Sequence, residues 1–127
     1  MSTIKTETLS TPSNATVPVD TVVNGTAKAW VNFNGTGTVA IRRSFNVSSI
    51  TDNGTGDYTV NFTNAMPDAN YSCSFMGQGL STNGWWRTGQ PGASNVNGFT
   101  TGALRFQTPN ASWAATDTDI ATLTIFS

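Results

Sequence analysis

The stretch Asn83-Gly84-Trp85-Trp86-Arg87 holds the residue types best suited to binding. An indole face stacks on a sugar ring, while arginine and asparagine direct hydrogen bonds at its hydroxyls. Neighbouring residues of a strand point to opposite faces, so a strand here sends one of Trp85 and Trp86 inward. Packing of both rings in the core or at a subunit contact is the competing reading. Trp113, just after Pro109-Asn110, is the second ligand-binding candidate, and Trp30 stands opposite the apolar face of its own strand.

Catalytic constellations are scarce by comparison. The 127 residues include no histidine, which removes Ser-His-Asp and Cys-His nucleophiles and most zinc sites. Glu7 is the only glutamate. Asp117 and Asp119 are spaced to share a strand face, and Asp52 and Asp57 bracket a turn, where aspartate ordinarily caps the local backbone. The segment Asp52–Asp57 lacks acids at alternate positions, and Thr63 stands where a calcium loop needs a closing glutamate. No phosphate-cradling Gly-x-x-x-x-Gly-Lys pattern occurs. The expectation is a protein that is not an enzyme and takes no metal or cofactor. Eight Asn-x-Ser/Thr triplets arise from the abundance of 13 Asn, 22 Thr and 12 Ser rather than from glycosylation.

The elements that must position these side chains are strands. The segment Ser44–Thr63 alternates large apolar with polar residues on both sides of Asp52-Asn53-Gly54-Thr55-Gly56-Asp57. Period two puts Phe45 and Val47, then Tyr58, Val60 and Phe62, on core faces, and Asn53-Gly54 predicts the hairpin turn. Residues 27–33, 39–42, 71–76, 99–108 and 121–126 read as further strands, with Cys73 a small core residue. Leu, Glu, Lys and Arg are too few for a long helix. Together these predict an all-β protein: a single antiparallel β-sandwich, jelly-roll-like, over residues 24–127, preceded by an extended arm over residues 1–23. Pro12 and Pro18 interrupt any ladder in that arm, which either packs on something outside its own domain or is a loose tail. With charged residues at 10%, few charges guard the sheet edges, so self-pairing is expected to close them. Residues 77–98 have no sustained period and form a long loop of the kind that carries function.

A net charge of −1 with no basic stripe sets nucleic acid aside. No apolar run approaches membrane-spanning length, so no membrane insertion is expected. The opening MSTIKTETLS has no apolar leader core, and the single cysteine fits a reducing cytosol.

From Gly25 to about Tyr71, the motifs KAWVNFNGTGT, SFNVSSITDNGTGDYTVNF and AMPDANYS resemble a β-domain of tail-fibre and virion-surface proteins of tailed bacteriophages, of the cyanophage and marine-phage type. Where that family commonly has Asp after Ala-Ile-Arg, Arg43 stands here. The resemblance implies a non-enzymatic virion component, a homotrimer, assembled in the host cytoplasm and displayed on the particle. The leading expectation is a short tail fibre or tip that contacts host surface polysaccharide through Asn83, Trp85, Trp86, Arg87 and Trp113. Residues 1–23 would then hold other virion proteins. The chain has no heptads and no collagen repeat, so a capsid decoration protein is the alternative, and a polysaccharide depolymerase stands third.

Overall fold

Alternating apolar and polar residues build two facing antiparallel sheets in the computed structural model, which describes residues 2–79, 86–87, 89–92, 97–110 and 112–127. An N-terminal hairpin, β1 (Thr8–Ser10) with β2 (Thr16–Pro18), precedes helix α1 (Val19–Gly25). Then come β3 (Ala29–Asn34), β4 (Ala40–Phe45), β5 (Val47–Gly54), β6 (Asp57–Phe62) and β7 (Ser72–Gln78). The series ends with β8 (Trp86–Arg87), β9 (Gln90–Pro91), β10 (Ala103–Gln107) and β11 (Ile120–Phe126). The five-stranded sheet has the order β4-β3-β11-β7-β8 and the four-stranded one β5-β6-β10-β9. The all-β sandwich is therefore as the alternation predicts. After the N-terminal hairpin, successive strand pairs alternate between the two sheets: β3–β4 and β7–β8 in the five-stranded one, β5–β6 and β9–β10 in the four-stranded one.

The inward faces carry the core. Ala29, Val31 and Phe33 of β3 meet Tyr58 and Val60 of β6, Leu104 and Phe106 of β10, and Ala121, Leu123 and Ile125 of β11. Aromatic rings tie the layers together: Phe33 meets Tyr58 edge-on at 5.3 Å, and Phe75 lies 5.0 Å from Phe106. Phe62, Tyr71 and Phe99 extend the chain of rings, with centroids 5.9 and 5.1 Å apart. Edge-on and tilted contacts of this kind add to plain area burial because ring edges are positive and faces negative. Cys73 is half-buried, and burial pushes its thiol pKa up.

The Ser44–Thr63 hairpin departs from its sequence reading in two places. Phe45 does not share a core face with Val47. Asn46 between them takes φ 54°, the left-handed region, and the chain leaves the five-stranded sheet for the four-stranded one. One left-handed residue breaks the period, so Phe45 ends outside, 54% exposed, and Val47 packs on the core. Asn46 fits the corner because its amide replaces the missing ladder. Its Nδ2 donates to the carbonyls of Lys28 and Asn64 at 3.0 and 3.1 Å, and its Oδ1 accepts the Asn64 N–H at 2.8 Å. The hairpin turn also moves. Asn53-Gly54 still belongs to β5, with a register break between Asp52 and Gly54, and Thr55-Gly56 makes the turn.

The sheet edges carry features of their own that guard them. The register breaks between Asn32 and Phe33 where β4 pairs with β3, and at both ends of β5. Bulges twist an edge away from a flat partner, and Arg42 and Arg43 add charge on β4.

Residues 2–26 are exposed apart from half-buried Val17 and Val19. Within this arm the chain doubles back, with Leu9 opposite Val17, and α1 closes on the Asn24-Gly25 pair, where the Thr26 N–H meets Val22 O. Lys28 is where the chain joins the sandwich, donating its N–H to Ile125 at 2.8 Å.

Candidate functional site

Strand direction sorts the connections onto two poles. Turn 35–39, turn 55–56, the exit of β7 at Gln78 and segment 108–119 share one pole. The arm, Asn46, segments 63–71 and 98–102, and Ser127 share the other.

At the first pole the loops are locked by side chains. The Tyr58 hydroxyl lies 2.7 Å from Gly35 O and 3.1 Å from Asp117 Oδ1, sharing its proton between them. Asp117 Oδ1 also accepts the Gly56 N–H at 2.7 Å. Burial, reinforced by the Asp117 carboxylate, pushes the Tyr58 pKa well above its ordinary value. Gly56, at φ 62°, runs so close to the Thr116 backbone that a Cβ would overlap it. Asp119 Oδ1 lies 3.2 Å from the Thr36 hydroxyl. Asp117 and Asp119 precede β11, and both engage turn residues. Asp117 is thus a clasp between turns, and its pairing with Asp119 on a strand face does not occur.

From this locked base rises the loop holding Trp113. The Asn110 side chain accepts the N–H groups of Ser112 and Ala114 at 2.8 and 3.0 Å, and Asn110 N–H donates to Ala114 O at 2.7 Å. Trp113 sits at the tip with φ 62° and is 80% exposed. A bulky side chain in the left-handed region is strained, and here the ring is held out into solvent. Of the other candidates, Asn83 and Trp85 lie outside the described residues. Trp86 and Arg87 form β8, in register with Gln78 and Gly77 at the edge of the five-stranded sheet. Gly89, two residues beyond Arg87, has its backbone directly against the Phe75 ring.

The outer faces of the two sheets differ in chemistry. On the four-stranded sheet, polar side chains satisfy one another: Asn61 Nδ2 reaches Ser49 Oγ and Thr51 Oγ1 at 3.0 and 2.9 Å, and Asn53 Nδ2 reaches Thr59 Oγ1 at 2.8 Å. Asp57, only 8% exposed, accepts two bonds from Arg105 and one from Gln107. Sequence reasoning missed this cluster, because Asp57 reads as a turn residue and its partners lie 48 and 50 residues on. On the five-stranded sheet the outer face is apolar towards the arm's pole. Phe45 and half-buried Trp30 are register partners, and Phe126 lies on the neighbouring strand; Met76, 58% exposed, lies farther along the same face towards the other pole. Phe45 also lines a groove of about 630 Å³ with Val23, Lys28, Met66 and Pro67.

Among the described residues, no three His, Cys, Asp or Glu side chains gather to hold a metal, and no helix is long and apolar enough to cross a membrane. No family model, curated protein or solved structure matches the chain, so the resemblance of residues 25–71 stands on its three motifs alone.

Proposed function

We propose that the chain is a structural component of a bacteriophage particle: a short homotrimeric tail fibre or tip that contacts the host surface. The sequence support is the resemblance over Gly25–Tyr71. The structural observation that carries the reading is polarity. The exposed arm leaves one pole, and the strained, 80% exposed Trp113 stands at the other. A scaffold built this way anchors at one end and presents loops at the other, on a base made rigid by Tyr58 and Asp117.

In this role residues 1–23 grip other virion proteins, and Trp113, together with Asn83, Trp85, Trp86 and Arg87, stacks on and hydrogen-bonds host polysaccharide. The protein acts by adhesion, without catalysis or a cofactor. Gold-labelled antibody on purified particles tests the placement, with label expected on the tail. Loss of host-cell binding in Trp113→Ala or Trp86→Ala, with the melting curve unchanged, tests the recognition role. Particles carrying no label would sink the proposal.

One observation favours a second reading. The arm displays Leu9 beside Val17 with no sheet of its own to lie on, as an arm that staples a shell would. Label confined to the head would make the protein a capsid decoration component.

A further inference from the structure

Two surfaces of this chain are incomplete in the same way. The hairpin β1–β2 has three residues in each strand, sets Leu9 against Val17 in register, and among the described residues has no third strand. An isolated two-stranded hairpin is marginal in water and needs a further surface to pack on. The outer face of the five-stranded sheet offers such a surface, and none of the described strands covers it. Phe45 and Trp30 stand side by side there, Phe126 is on the next strand, and the groove beside Phe45 continues the apolar area towards Val23 and Met66. The opposite sheet's outer face, with its mutually bonded Asn, Thr, Ser, Asp and Arg side chains, offers no comparable apolar area.

The charges match as well. The cations beside the aromatic row are Lys28, whose Nζ donates to Val23 O, and Arg42 and Arg43; among the described residues Arg42 reaches Asn32 Oδ1 at a long 3.4 Å. The arm carries Glu7 and Asp20 against a single Lys5.

We infer that the β1–β2 hairpin of one copy docks on the outer face of the five-stranded sheet of a second copy, Leu9 and Val17 covering Phe45 and Trp30, with Glu7 facing Arg42 and Arg43. The arm and the aromatic row lie at the same pole, so each copy gives its hairpin and receives another's next to where its own arm departs. Exchange of this kind closes a ring without using the bulged edges. The inference rests on reading the chain as a self-associating component, and it names the surface that does the associating.

Sedimentation of the full chain across micromolar concentrations tests it. Association is expected, with Phe45→Ser or Leu9→Ser weakening it roughly tenfold or more, as loss of a central apolar anchor does. Circular dichroism and melting of each variant show whether the sandwich itself survives. Arg43→Glu weakens association, and combining it with Glu7→Arg restores it. In a Cys73→Ala background, an oxidised mixture of Leu9→Cys chains and Phe45→Cys chains yields a covalent heterodimer. A monomer at all concentrations overturns the inference, as does an oligomer indifferent to these changes. An internal disulfide in a chain carrying both Leu9→Cys and Phe45→Cys also overturns it, because the hairpin then lies on its own sheet. Virion labelling is independent of these outcomes: a monomer found on particles removes this contact and the homotrimer with it, and leaves a virion component of another geometry.

Discussion

Asp57 and Arg105 form a two-point ion pair on the outer face of the four-stranded sheet, Nε to Oδ1 at 2.9 Å and Nη2 to Oδ2 at 2.8 Å. The planar fork matches the carboxylate, and Gln107 and Asn53 add donors at 3.2 and 3.3 Å. The hydrogen bonds from Arg105 are the largest influence holding the Asp57 carboxyl below its ordinary value, against burial, which opposes them. The unfolded chain therefore takes up a proton first as pH falls. The stability contributed by Asp57 is fully present above the unfolded value, about 4, and is lost as pH drops through the lower folded one. Thermal melts from about pH 7 down to about pH 2.5 should show this loss, and Arg105→Ala should flatten it. Asp57→Ala leaves Arg105 and Gln107 donors unpaired and should cost about 1–3 kcal/mol at neutral pH.

The Asn46 corner separates backbone from side-chain effects. Asn46→Gly keeps the left-handed φ of 54° but loses the amide bonds to Lys28 and Asn64. A partly exposed set of this kind is worth about 1 kcal/mol. Asn46→Ala loses the same bonds and adds the left-handed penalty, about 1 kcal/mol more. Denaturant melts should rank wild type above Gly and Gly above Ala. If Ala and Gly melt together, the corner is not held by its backbone.

These two residues also mark where the sequence stops being legible. The inward positions on β3, β6, β10 and β11 come from alternation, because burial on one face of a pleated strand forces period two. Trp30 was readable as outward for the same reason. Asn46 was not, since a left-handed residue inside an alternating run leaves the run intact on paper and turns the residues after it to the other side in space. Asn53-Gly54 misled because a hairpin signal fixes a turn only to within a bulge: Gly54 takes a positive φ of 131° at the bulge, and Gly56, at 62°, makes the turn. The Asp57–Arg105 pair was hidden by a separation of 48 residues, and only the β6–β10 register joins it. Trp113 was legible as a candidate, but its exposure depended on the Asn110 side chain closing the loop under it.

Thr118 is wholly buried, and its Oγ1 has no hydrogen-bond partner among the described residues. A buried hydroxyl without a partner carries an uncompensated desolvation cost. Valine has nearly the same shape and no polar group, and the backbone bond from Gly35 N–H to Thr118 O does not involve the side chain. Thr118→Val should raise stability by about 1 kcal/mol, read as a higher melting temperature. A drop would mean that the hydroxyl is bonded in solution, and Thr118→Ser, which keeps it, would then be the milder change.

Trp113 should show stability and function pulling apart. Its ring is exposed, so removing it forfeits little burial, while its φ of 62° suits asparagine far better than a bulky side chain. Trp113→Asn keeps the loop closed by Asn110, relieves the left-handed strain and should raise stability by up to about 1 kcal/mol. The same change removes the ring that the proposed function uses, so host-cell binding should fall while the melting temperature holds or rises. Backbone strain of this kind clusters at sites that meet ligands, which is why Trp113 is the residue to test. Binding unaffected by Trp113→Asn would shift recognition to the stretch around Trp86. A lower melting temperature would show that the ring packs on its own protein and presents no surface at all.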